Sequence, residues 1–163
     1  MDFGTPADWV NVICTLAATG AAFFAGTVAH RAYMRERAND HQRDATGVHA
    51  WLAYDTEAQS ANQRIILMNS GQSPIYELAV RLILGDQETV APSSRGTWQV
   101  LPPGRYEVGP NDRFPWGFPN PVDEPNRFTP YTRSPKHRVI GIDFTDAHGT
   151  AWHRDARGHL TER

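Results

Sequence analysis

The hydrophobic pattern of the chain changes period once, near residue 47. Residues 9–29, WVNVICTLAATGAAFFAGTVA, contain no charged side chain, and at roughly 1.5 Å of helical rise per residue such a run crosses the ~30 Å hydrocarbon core of a bilayer. The pattern predicts one transmembrane helix. Its anchoring residues are Trp9, Val12, Ile13, Leu16, Phe23, Phe24 and Val28, with Tyr33 placed in the far headgroup layer. Residues 30–47 then mix both charge signs, contain no proline, and carry glycine only at the end, which predicts a polar helical stalk stopped by Gly47.

Beyond Gly47 the period falls to two. In residues 48–55, Val48, Ala50, Leu52 and Tyr54 alternate with His49, Trp51, Ala53 and Asp55, which is the chemistry of a strand. Residues 64–69 form a β-branched run, and Asn69 to Pro74 spell a turn. Residues 75–84 give the longest predicted strand, with Tyr76, Leu78, Val80, Leu82 and Leu84 on one face and Glu77 and Arg81 on the other. That strand should be central to its sheet. Gly85 and Asp86 close it, and residues 86–97 read as a loop. Short strands follow at 98–101 and 106–108, separated by Pro102-Pro103-Gly104. Residues 139–146 and 150–155 make the clearest hairpin: Asp146 and Gly149 suit a type I turn with a glycine bulge, which sets Phe144 opposite Trp152. Asp155 to Gly158 form a second turn.

Between these lies a segment of different composition. Residues 109–135 contain seven prolines, and proline neither continues a helix nor donates to a sheet ladder, so the segment is predicted to be a long irregular loop. Phe114, Trp116, Phe118, Phe128 and Tyr131 are too many rings for a solvated linker. They are expected to pack as the lid of a small core, and they are also the best candidate contact surface, since a restricted backbone presents aromatics at low ordering cost.

Charge adds direction to the pattern. Asp2 and Asp8 precede the apolar span, whereas Arg31, Arg35, Arg37 and Arg43 follow it, so the positive-inside rule puts the amino terminus outside and the rest in the cytoplasm. Arg31, Arg35 and Arg37 would lie at the membrane surface, where each basic residue contributes about 1 kcal/mol toward anionic headgroups. A cleavable signal peptide is disfavoured, because it needs a positive segment ahead of a shorter apolar core. Small residues line the span at helical spacing, Ala17, Ala21, Ala25 and Ala29 beside Ala18, Ala22 and Gly26, a face that suits helix self-association and so a homo-oligomer.

The whole chain of 163 residues has a formal charge of −2. From Val48 onward basic and acidic residues nearly balance, which excludes the strongly basic footprint of a nucleic-acid binder. Arg113, Arg127 and Arg133 lie between the loop aromatics, but proline interruption and near-neutral charge argue against single-strand binding there too. The only cysteine, Cys14, lies inside the apolar span, so there is neither a disulfide framework nor a cysteine metal site.

The histidines lack rigid ligand spacing. His148, His153 and His159 stand near Asp143, Asp146 and Asp155, yet a surface role is expected for them, with no metal and no cofactor. Asp143 beside His153 resembles a base and its orienter, but no Gly-x-Ser-x-Gly or other activated nucleophile accompanies them. The expected class is non-enzymatic. The rivals are an extracytoplasmic ligand-binding domain and a hydrolase or metal site built on Asp143, His148 and His153.

The order of a charge-free span, an Arg-rich helix, IILMNSGQSPIYELAVRL, a VLPPG turn and a closing FTDAHGTAWHRDARGHL resembles a group of uncharacterised, membrane-anchored proteins of high-G+C actinobacteria. The resemblance is loose and rests on strand and turn chemistry. It implies an all-β, immunoglobulin-like antiparallel sandwich over residues 48–163, behind an N-terminal tail (1–8), a transmembrane helix (9–29) and a stalk (30–47). It also implies membrane association, and brings no activity with it. Taken together, the expected partners are the lipid bilayer and a protein of unknown identity.

Overall fold

A computed structural model describes residues 20, 23–31, 44–57, 63–93, 96–110 and 116–163. Most of the predicted span, including Trp9, Val12, Ile13, Leu16 and Tyr33, lies outside the described residues, as do Arg35, Arg37 and Phe114. The chain divides into two compact units, Met1–Asp40 and His41–Arg163. In the first, residues 23–31 are helical, with Phe23, Phe24 and Val28 well exposed and Arg31 at the end. Among the described residues no helix is long and apolar enough to cross a membrane.

The second unit is all-β. Its strands are β1 (Val48–Asp55), β2 (Gln63–Asn69), β3 (Ile75–Leu84), β4 (Gln87–Ala91), β5 (Trp98–Leu101), β6 (Gly104–Val108), β7 (Asn120–Pro121), β8 (Phe128–Pro130), β9 (His137–Thr145), β10 (Ala151–Asp155) and β11 (Leu160–Glu162). They form two antiparallel sheets, one ordered β7-β6-β2-β1-β8 and the other β11-β10-β9-β3-β4, with β5 following β4 along the same side of β3. Inward residues of both sheets share one core, including Leu52, Ile65 and Leu67 from the first and Leu78, Val80, Leu82, Ile142 and Phe144 from the second.

Three expectations need correction. Residues 87–91 are a strand, because Gly85 at φ +66° permits a two-residue turn that folds Gln87 back onto Leu84. The proline-rich segment is not wholly irregular: β7 pairs with β6, and β8 runs along β1 as a short edge strand. Proline is tolerated there because an edge has one unpaired side. Tyr76 does not share the face of Leu78, Val80 and Leu82. A β-bulge lies between the pairs Tyr76–Thr145 and Ala79–Asp143, and Glu77 sits in it at φ +52°. The extra residue inverts the alternation, so Ile75 and Leu78 are both buried while Tyr76 is turned out, 39% exposed.

Candidate binding surface

The proline-rich segment covers the outer face of the first sheet. Alternation along β1 turns Trp51, Ala53 and Asp55 away from the main core, and pairing places Ile66 and Arg64 of β2 beside them. Solvent does not reach most of this face. Phe128 and Val122 settle on Ala53, Ile66 and Trp51 to make a second, smaller apolar cluster. The Arg105 guanidinium lies 5.6 Å from the Trp51 ring centre and extends that cover.

Covering the face buries Asp55, only 1% exposed, which therefore requires a charged partner. Arg127 supplies it from the turn Pro125–Arg127, donating through Nε to Oδ1 at 3.0 Å and through Nη2 to Oδ2 at 2.7 Å. Such two-point pairing is the strong form of a carboxylate contact. Arg64 Nη2 adds a third approach at 3.4 Å, and the Glu57 amide donates to Oδ1 at 3.0 Å. Hydrogen bonding from Arg127 holds the Asp55 carboxyl below its usual range against the opposing effect of burial, with the Glu57 amide and the charges of both arginines assisting. The same pair raises the already high pKa of Arg127. Thr56 completes the closure: its amide and hydroxyl both donate to the Arg127 carbonyl.

Shallow clefts open around this closure. One of about 220 Å3 is lined by Glu107, Pro121, Val122, Asp123, Glu124, Arg127 and Phe128. A second, about 360 Å3, lies beside Thr56, Glu57, Asp123, Glu124, Asn126 and Arg127. The third, about 340 Å3, is bounded by Arg64, Glu107, Gly109, Pro110, Gly117, Phe118 and Asn120.

The loop aromatics divide by burial. Trp116 is 5% exposed and belongs to the main core, and Phe128 belongs to the outer cluster. Tyr131 is half-buried, stacked on His137 at 4.9 Å and edge-on to Tyr54 at 5.7 Å. Phe118 stands out of the surface, 75% exposed. What holds Phe118 up is its neighbour Gly117, whose amide donates to the Gly109 carbonyl and whose carbonyl accepts the Trp98 indole at 3.1 Å.

On the second sheet the structure joins some of the expected histidine neighbourhood. His153 Nδ1 lies 2.8 Å from Asp143 Oδ1, and register sets the two residues directly opposite. The other ring nitrogen faces Arg81 Nη2 at 3.4 Å, while Arg163 approaches Asp143 at 3.1 Å. Gly141 provides the room, since a Cβ there would meet Arg81 Nη2 at 3.0 Å and His153 Cε1 at 3.1 Å. Among the described residues the ring partners of His153 are thus a carboxylate and a guanidinium, not a hydroxyl. His148 is elsewhere, at the turn tip, its amide donating to Asp146. No group of three or more His, Cys, Asp or Glu among the described residues is arranged to hold a metal ion.

Sequence reasoning missed Asp55 and Arg127. They are 72 positions apart, and alternation alone places Asp55 in solvent. It also missed Ser134, whose hydroxyl lies 3.0 Å from His137 Nδ1 within one tight turn. Compared with known protein families, with curated proteins and with solved structures, the chain gives no match.

Proposed function

We propose that the chain is a membrane-tethered, non-enzymatic interaction module whose contact surface is the loop-covered face of the first sheet, centred on Phe118. The observation that carries this reading is the exposure of Phe118 beside a cleft lined by Arg64, Glu107 and Asn120, when Trp116 and Phe128 of the same segment are buried. A large ring held out on a hydrogen-bonded glycine is the kind of anchor that dominates protein interfaces. Anchoring rests on the charge-free run at 9–29 and on the exposure of Phe23, Phe24 and Val28 in the helical residues 23–31. The arginines behind the run favour a cytoplasmic location for the β unit, and its small-residue face favours a homo-oligomer.

The fold of this unit is of the immunoglobulin-like kind in this reading. Support comes from strand order: β2 lies between β1 and β6 in one sheet, and β9 lies between β3 and β10 in the other. That is the arrangement expected when the chain crosses from sheet to sheet as it does in such sandwiches.

The test is a photo-crosslinking residue placed at position 118 in the full chain, with the exposed Glu88 position as control. A crosslinked species formed at 118 and absent at 88 supports the surface. No product at 118, or equal products at both, rejects it. Fractionation tests the anchor separately: the full chain should stay with membranes through an alkaline wash, and the double substitution Phe23→Asp, Val28→Asp should release it.

A further inference from the structure

We propose that Arg154 and residues 44–47 form a strap that couples the start of β1 to the far end of the second sheet, and that the strap opens as a unit separate from the rest of the fold. The inference goes beyond the interaction reading and stands without it. Residues 44–46 are helical, and Ala45 is fully buried in the main core. Arg154 of β10 reaches them from the opposite end of the chain. Its Nη2 donates to the Thr46 carbonyl at 2.8 Å and to the Ala45 carbonyl at 3.3 Å, and its Nη1 donates to the Gly158 carbonyl at 3.0 Å in the β10–β11 turn.

The chemistry of this contact is unusual. The Arg154 side chain belongs to a residue only 9% exposed, its Nε has no hydrogen-bond partner, and no carboxylate among the described residues pairs with it. Burial lowers its pKa without any offsetting acid. A charge so placed depends on the carbonyls that surround it, and an apolar side chain of similar size would pack at lower cost. What the guanidinium supplies, and an apolar side chain does not, is a directional bridge between segments 108 positions apart.

A second hold is independent of the first. The Gly47 carbonyl accepts both the amide and the hydroxyl of Ser70 at 3.0 Å. Contact is close enough that a Cβ at Gly47 would lie 2.7 Å from Ser70 Oγ and 2.9 Å from the Gly71 nitrogen. Ser70 belongs to the connection between β2 and β3, which lie in different sheets. The segment entering β1 is therefore held by side-chain and turn contacts of its own, to β10 through Arg154 and to the β2–β3 connection through Ser70, outside the sheet ladders.

Amide hydrogen exchange on the full chain tests this. In Arg154→Met the Gly47 and Ser70 amides should exchange about tenfold faster or more, while amides in the β3–β9 ladder stay within about twofold of the parent. Arg154→Lys, which can reach one carbonyl, should fall between. Unchanged protection at Gly47 and Ser70, or equal acceleration everywhere, overturns the strap. Should Arg154→Met not fold, Gly47→Ala displaces the same segment without touching the buried charge. Selective opening of these amides in that variant supports the proposal, and uniform or absent opening overturns it.

Discussion

Two buried carboxylates, Asp55 and Asp146, organise the β unit by opposite means. Asp55 is neutralised by arginines, whereas Asp146, 4% exposed, is held by neutral donors: the His148 amide at 2.8 Å, the Thr150 amide at 2.9 Å and the Trp152 indole at 2.9 Å. Burial by itself would raise the Asp146 carboxyl, but these hydrogen bonds, led by Trp152, bring it below its usual range. A carboxyl depressed in the folded state contributes stability above the unfolded pKa, near 3.9, and loses it as the pH falls through the lower folded value. Acid should therefore weaken the β unit through both aspartates. Asp146→Ala strands the indole and two amides, with an expected cost of about 1 to 3 kcal/mol in urea unfolding at pH 7. The same variant should show a shallower loss of stability between neutral pH and pH ~3 than the parent. The turn around Asp146 was legible in the sequence because its donors are local. Asp155 repeats the device nine positions later, its Oδ1 accepting the Arg157 and His159 amides.

At the scale of elements, alternation located the long strands and failed wherever a backbone irregularity or a covering segment intervened. It placed β1, β3 and β5 with their observed bounds and set Phe144 opposite Trp152. It could not see the bulge at Glu77, because inserting one residue changes which side chains face inward without changing composition. Glu77 adopts a left-handed conformation that costs a non-glycine residue roughly 1 to 2 kcal/mol. Glu77→Gly should therefore leave stability unchanged or raise it, even though the Thr145 hydroxyl contact at 3.2 Å is lost. Glu77→Val, β-branched at the same φ, should lower the urea midpoint, and equal midpoints for the two variants would show that the bulge is unstrained.

Proline hid the remaining elements. Residues 109–135 have no period, so nothing in their order separates the buried Trp116 and Phe128 from the exposed Phe118. What separates them is long-range: Phe128 settles on the sheet beside the pair between Asp55 and Arg127, Trp116 joins the main core, and Phe118 stands out next to Gly117, which is pinned to the Gly109 carbonyl and the Trp98 indole. Replacing Asp55 with Ala removes the acceptor for that pair and for the Glu57 amide. The expected result is rapid proteolysis within residues 116–131 while the β3–β9 ladder keeps its exchange protection. Equal loss in both regions would mean that the covering segment is part of the general core instead of an element latched onto it.

For the molecule as a whole, the membrane anchor proposed above raises the question of sidedness. Residues 31–43 carry four arginines and residues 1–8 none, so under that proposal the positive-inside rule favours a cytoplasmic β unit. A reporter for sidedness must sit where a new side chain neither strains the backbone nor disturbs a contact. Gly149 is open to solvent but has φ +87°, so a cysteine there would be strained. Ala147 is exposed on the same turn without a positive φ, and its side chain takes no part in the Asp146 hydrogen bonds. With Cys14 replaced by serine, Ala147→Cys should react with a membrane-impermeant maleimide only after cells are permeabilised. Labelling in intact cells would move the β unit outside. Phe118 and the clefts beside it would then face extracellular partners, and the arginines at 31–43 would no longer report the orientation.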